Sequence, residues 1–238
     1  MLLIQYRKLP LVLSTLALLS LSGCNNSDKK TVEVTPPPAP IVYSYDVKIV
    51  NLTQAQPMSP VAVVLHNEGM LWEIGTSASN ALEHLAESGD NTGVLAESMV
   101  LTSQSGAGVL FPGASETVSI SLSDTMPMML SIATMLVNTN DAFTGVNAMN
   151  LSDMAMGDSV SLTTSTYDAG TEKNTETIST IPGPAAGGEG FNAERDDIDN
   201  VVMHSGIVSK EDGLMQSVLT EANRFDNPTL RVTITRTK

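Results

Sequence analysis

Ser131–Gly145, SIATMLVNTNDAFTG, opens as an apolar β-type run, Ile132 to Val137, and breaks into the polar loop Asn138–Asp141. Asn and Asp interrupt strands because their short side chains hydrogen-bond nearby backbone and tolerate turn conformations. Phe143 follows as an anchor and Gly145 as a conformationally free residue. A second stretch, Tyr167–Thr175, YDAGTEKNT, has the same grammar: the strand-like SVSLTTSTY ends at Asp168, followed by Ala169, Gly170 and a second acid, Glu172. Two strand ends that each deliver carboxylates into a glycine-containing loop are how a β-sandwich builds a hard-cation site at its rim. Calcium takes roughly six to eight oxygens from carboxylates, carbonyls and water. Asp141, Asp168 and Glu172 are therefore candidate calcium ligands.

Outward from these stretches the dominant period is two. Tyr45, Val47 and Ile49 alternate with polar neighbours, the pattern of a half-buried strand. Val61–His66, Ala96–Thr102, Glu116–Leu122, the runs MMLSIATMLV, DSVSLTTS and NVVMHSGI, and the closing TLRVTITR are further strand candidates. Turn-rich segments such as Ser105–Gly108 and Pro112–Ser115 separate them. About eight short strands so spaced predict an all-β fold, an antiparallel C2-like β-sandwich. One short crossover helix is expected at Ser79–Glu87, SNALEHLAE, capped by Ser79 or Asn80, with Leu82, Leu85 and Ala86 on its apolar face. Ser217–Arg224 is a weaker helical turn. Between Ile181 and Arg195, prolines and glycines mark a long loop. The acids after it, Glu194, Asp196, Asp197 and Asp199, lack the glycine and terminal Glu of an EF-hand and are expected to form a solvated face.

The formal charge of −14 and a pI near 4.4 argue against a nucleic-acid partner, because phosphate binding needs clustered Lys and Arg. They suit solubility and divalent cations. With 42% hydrophobic residues the chain can bury a core, and with only 4% aromatic residues a sugar-stacking platform of several exposed rings is not expected.

Residues 1–23 have the form of a lipoprotein signal peptide: Arg7 and Lys8, the apolar run Leu9–Leu21, then small residues. Leu21-Ser22-Gly23-Cys24 resembles a bacterial lipobox, which makes Cys24, the one cysteine of the chain, the expected lipidation site and new N-terminus. Asn25 after it favours the outer membrane. Residues 24–42, with Pro36, Pro37, Pro38 and Pro40, form a tether of polyproline II character, and residues 43–238 the folded domain. The same cysteine count leaves no disulfide and no thiol nucleophile in that domain.

No HExxH, GxSxG or phosphate loop is present. His66, His84 and His204 lack metal-ligand spacing and are expected to be hydrogen-bonded structural residues. The methionines, Met126, Met128, Met129 and Met135 among them, are expected as adaptable core filler rather than soft-metal ligands.

TNDAFTG followed by YDAGTE resembles the paired signature of the spondin domain, the extracellular β-sandwich of F-spondin and mindin type that also occurs in bacterial secreted proteins. The resemblance runs from about Tyr45 to Arg236 and takes in YDVKIVNLT, Ser59–His66, Ala81–Asp90 and Met203–Ile207. It implies that Asp141, Asp168 and Glu172 together hold one Ca2+. The sequence departs from the animal pattern in having Ala142–Phe143 where a tryptophan follows the first aspartate, Glu172 in place of the last Asp, and no cysteines in the domain.

The expected protein is thus an exported, envelope-anchored calcium-binding module for adhesion or ligand recognition, not an enzyme, held to the membrane by lipid and facing an extracellular or periplasmic protein or glycan. A hydrolase using the rim carboxylates and a purely structural envelope lipoprotein are the competing expectations. A deep pocket with convergent perturbed groups separates an enzyme from a loop-built recognition rim.

Overall fold

Strand β1, Val42–Asn51, buries Tyr45, Val47 and Ile49 completely and leaves Lys48 in solvent, as its alternation predicts. It lies between β4, Ser115–Ser123, and β10, Leu230–Arg236, both antiparallel to it. β7, Ser159–Thr164, pairs with β10 and completes a four-stranded sheet of order β4-β1-β10-β7. The second sheet has six strands in the order β3-β2-β5-β6-β8-β9. They are β2, Ala62–His66, β3, Val100–Ser105, β5, Met129–Met135, β6, Ala142–Asn150, β8, Thr166–Asp168, and β9, Val202–Met203. The arrangement is an all-β antiparallel sandwich. This computed structural model describes residues 37–238; the expected signal peptide, the expected lipidation site Cys24 and most of the expected tether lie outside the described residues.

Among the described residues ten strands form where about eight are expected from pattern. The additional ones are β6, whose Phe143 and Gly145 look like loop residues in sequence, and β8, too short to show a period of its own. The strand anticipated at Ala96–Thr102 starts later, at Val100. The segment before it carries a short helix, α2, Thr92–Leu95, that the sequence did not signal. At Ser217–Arg224 the chain makes only a 3-10 turn, Glu221–Asn223.

Between the sheets, Tyr45, Val47 and Ile49 meet Val63, Leu65, Leu130, Ile132 and Val146 with Val232 and Ile234. The outer face of the six-stranded sheet is buried as well. Ala62, Val64, Ala133 and Phe143 there pack under Leu82, Leu85 and Ala86 of helix α1, Asn80–Ser88, and against Trp72. β2 therefore reads as a continuous apolar run rather than an alternating one, since both its faces are covered. Ser79 caps α1, its Oγ accepting from the Leu82 N–H at 3.1 Å, and Gly89 ends it in the left-handed conformation, φ 73°.

The His66 expectation of a hydrogen-bonded structural histidine holds. Its Nδ1 lies 2.8 Å from the Glu68 carbonyl and its Nε2 2.9 Å from Ser131 Oγ. A carbonyl only accepts, so Nδ1 carries the proton and Nε2 accepts from the Ser131 hydroxyl. Ser131 Oγ also accepts from the Ala148 N–H at 2.7 Å, across the irregularity in the β5–β6 register. The fully buried pair thus pins a bulge. His84 stacks on Phe191 with ring centroids 3.6 Å apart.

Candidate cation site at the sheet end

Leu136–Asp141 turns the chain from β5 into β6. The Leu136 N–H donates to the Ala142 carbonyl at 2.8 Å, and Thr139 Oγ1 donates to the Leu136 carbonyl at 2.6 Å while accepting from the Ala142 N–H. This closed turn leaves Asp141 just before β6, fully buried. β8 pairs with β6 so that Asp168 faces Ala142 across the ladder. The register thus brings the two strand-end aspartates to the same end of the sheet.

The loop after β8 then folds over Asp141. The Thr171 and Glu172 N–H groups both donate to Asp141 Oδ2, at 2.8 and 3.1 Å. Asp168 Oδ1 accepts from the Gly170 N–H at 2.8 Å and Oδ2 from Asn174 Nδ2 at 2.6 Å. Gly170 adopts φ +70°, and a Cβ there would stand 2.3 Å from the Asn200 carbonyl oxygen, so only glycine fits. Phe143 stacks on Tyr167 with centroids 5.5 Å apart and meets Trp72 edge-on at 5.1 Å. Trp72 therefore supplies from another loop an aromatic partner beneath the site.

All three sequence-predicted acids lie at this rim, 0% exposed for Asp141, 5% for Asp168 and 6% for Glu172. Among the described residues no three Asp, Glu, His or Cys side chains converge on one point as they stand. The acids nonetheless share one electrostatic environment. Burial, then the Asp168 charge, holds the Asp141 carboxyl well above the usual range despite the Thr171 and Glu172 N–H groups. Burial raises Glu172 to about 7, with the charges of Glu87, Glu189 and Asp196 adding to it. Asp141 Oδ1 and Glu172 Oε2 are buried without a hydrogen-bond partner. Leaving acceptors so costs free energy that an oxygen-seeking cation would recover. In donor chemistry the residues fit a hard cation.

Three further groups belong to this region: Glu176 and Asn140, which the sequence does not mark as site residues, and His204, expected as a structural histidine. Glu176, 1% exposed, sits at φ +57°. Its N–H donates to Asn140 Oδ1 at 3.2 Å and its Oε1 accepts from the Val208 N–H at 3.2 Å, yet Oε2 has no partner. Burial, with Asp168 beside it, raises its carboxyl to about 7. Asn140 lies close enough to Glu172 to lower its pKa, but its Nδ2 closes no hydrogen bond of ordinary length. His204 accepts from the Gly206 N–H through Nδ1 at 2.9 Å, while Nε2 is unpartnered; burial keeps the ring below its usual pKa. The expected structural role of His204 is met on one nitrogen only.

The acidic run is more than a solvated face. Arg195 stands at its centre and forms a two-pronged pair with Glu83 on α1, at 3.0 and 2.6 Å, and a further pair with Asp199 at 2.5 Å. Asp196 accepts from the Lys173 N–H, and the Asp199 N–H donates to the Gly170 carbonyl. The run is thereby laced along the loop that covers Asp141. Burial, and after it the nearby Asp168 charge, raises the Asp197 pKa.

Glu176 makes a pH dependence checkable. Its carboxyl is raised in the folded state, so between about 4.5 and 7 the native chain holds a proton that the unfolded chain has released. Stability then falls as pH rises through that window. Glu172 and Asp141 are raised in the same sense, so chemical denaturation in chelator should record a loss larger than the Glu176 share alone. Glu176→Gln should remove a share on the order of 2 kcal/mol of it. A flat profile for the wild type would remove this account of the buried acid.

No curated protein matches the chain. The Spondin_N family model matches residues 52–183, more than half of the chain, and spans β2 to β8 with both carboxylate-bearing strand ends and the loop that folds over them. With that match, and with its motif residues brought to one end of a two-sheet sandwich, the chain belongs to the spondin N-terminal domain family.

Proposed function

We propose that this protein is a lipid-anchored recognition module of the bacterial cell envelope whose rim carboxylates bind one calcium ion. The observation that carries the reading is the pair of buried, unpartnered oxygens, Asp141 Oδ1 and Glu172 Oε2, beside Asp168. A bound Ca2+ would supply the positive charge that offsets their mutual repulsion. The chain's part is to present them: the β6–β8 register holds Asp141 and Asp168 at one sheet end, and two backbone N–H groups orient Asp141. Glu172, on the loop, closes the set.

Recognition is favoured over hydrolysis because, among the carboxyls that burial raises, Asp141 and Glu176 are shut away from solvent, where no substrate bond can reach them. Calorimetric titration of calcium into the folded domain should give one ion per chain, with magnesium weaker because it demands tighter octahedral geometry and gives up water reluctantly. No heat at millimolar calcium would end the metal reading.

The membrane attachment rests on the lipobox-like Leu21–Cys24. Cys24→Ser should move the full-length protein out of the membrane fraction and remove its labelling by a clickable fatty acid. Equal labelling of variant and wild type would show that Cys24 is not the lipidated residue.

A further inference from the structure

Beside the loop that covers Asp141, a pocket of about 150 Å³ opens at the rim. Four carboxylates line it, from Glu172, Glu189, Glu194 and Asp196, against one cation, Lys173. Lys173 is already committed, its Nζ lying 3.3 Å from Asp196. The pocket therefore presents acceptors in excess of donors. Glu172 sharpens the point: it is 6% exposed, it borders the pocket, and its Oε2 is buried with no partner. An acceptor left unmatched in a partly dry setting is costly, and an N–H donor arriving there recovers that cost.

Size separates a metal ion from an organic cation. A water molecule's share of liquid volume is about 30 Å³, so this space takes several waters and far exceeds a bare ion. The acids that ring it do not converge on one point. Carboxylates spread around an open pocket suit a bulkier cation with several donors. A primary ammonium offers three N–H donors and no acceptor, and an acidic protein of net charge −14 draws such a group in from a distance.

We propose that the pocket lined by Glu172, Glu189, Glu194 and Asp196 binds the primary ammonium group of a basic ligand, either a lysine side chain or a polyamine. This rests on the reading of the rim as a recognition face; Glu172 is shared with the proposed calcium site, so calcium should weaken amine binding.

The test is a titration of the 15N-labelled domain with cadaverine and with acetyl-Gly-Lys-Gly-amide, each in calcium and in chelator. Saturable shifts are expected in the resonances of Thr175 and Asn192, which line the pocket, with dissociation constants in the millimolar range or tighter. A tighter constant for the tripeptide assigns the ammonium to a peptide side chain, and a tighter one for cadaverine to a polyamine. Glu189 and Glu194 are exposed, so Glu189→Gln with Glu194→Gln should leave the fold intact and weaken binding at least tenfold. Glu68→Gln with Asp153→Asn removes the same charge at exposed positions outside the pocket lining and should change binding less than twofold. Non-saturating shifts, or equal weakening in both double variants, would mean the amine senses only net charge, and the proposal falls. The calcium titration separates the two readings: amine binding without calcium binding removes the metal site and keeps this pocket, and the converse does the reverse.

Discussion

Calcium at about 100 times its dissociation constant should raise the stability of the domain by about 2.7 kcal/mol, and Asp141→Asn should erase that rise while making the calcium-free protein no less stable. The second half follows from the geometry. Asp141 Oδ2 accepts two backbone N–H groups, a task the Asn side-chain carbonyl performs equally well, while Oδ1 is an unpartnered acceptor beside Asp168. Removing the charge ends repulsion with Asp168 and much of the burial penalty that raises the Asp141 pKa. The two melting curves should therefore cross: variant at or above wild type in chelator, wild type above variant in calcium. Asp168→Asn should also abolish the calcium response, and Glu172→Gln should weaken it. Asp153→Asn is a suitable control, being exposed; Asp197 is not, because it feels the Asp168 charge. Thermal denaturation in calcium and in chelator reads all of this. A wild-type curve that chelator does not move would discard the site.

The other large effect is expected at Gly145. In sequence it looked like a loop residue chosen for conformational freedom, but it lies inside β6, opposite Ala133. A Cβ added there would stand 1.8 Å from the Ile132 carbonyl oxygen and 3.1 Å from the Ala133 Cα, both backbone atoms that cannot rotate away. Gly145→Ala should therefore destabilise by about 3 kcal/mol or more, at the upper end of overpacking effects. Because Asp141 directly precedes β6, which pairs with β8, calcium affinity should fall together with stability. Gly108→Ala, where a Cβ meets nothing within 4 Å, is the contrast and should stay within about 0.5 kcal/mol. A wild-type unfolding midpoint for Gly145→Ala would show that the strands separate freely at this point.

Sequence alone was enough for the strands whose two faces differ. In β1 and β10 one face meets the core and the other meets water, so Tyr45, Val47, Ile49, Val232 and Ile234 alternate visibly with polar neighbours. It also placed helix α1, whose cap and apolar face are local features, and it offered Asp141, Asp168 and Glu172 as candidates, because an apolar run that breaks into an acid-bearing polar loop is written in consecutive residues. Tertiary structure alone decided what depends on distant partners. The shut-in character of β2 and β5 comes from α1 and Trp72 lying over the second face of their sheet. Glu176 looked like one polar residue in a polar segment, NTETIST, with no period to betray burial. It is buried because the Asn140 side chain and the Val208 and Val218 backbone N–H groups, all remote in sequence, fasten its carbonyl, N–H and carboxylate inside. Arg195 likewise gave no local sign that it would reach Glu83 on a helix more than a hundred residues earlier. Periodicity and caps are properties of neighbouring residues, whereas the pairing of a buried charge is settled by whichever segments the fold closes around it.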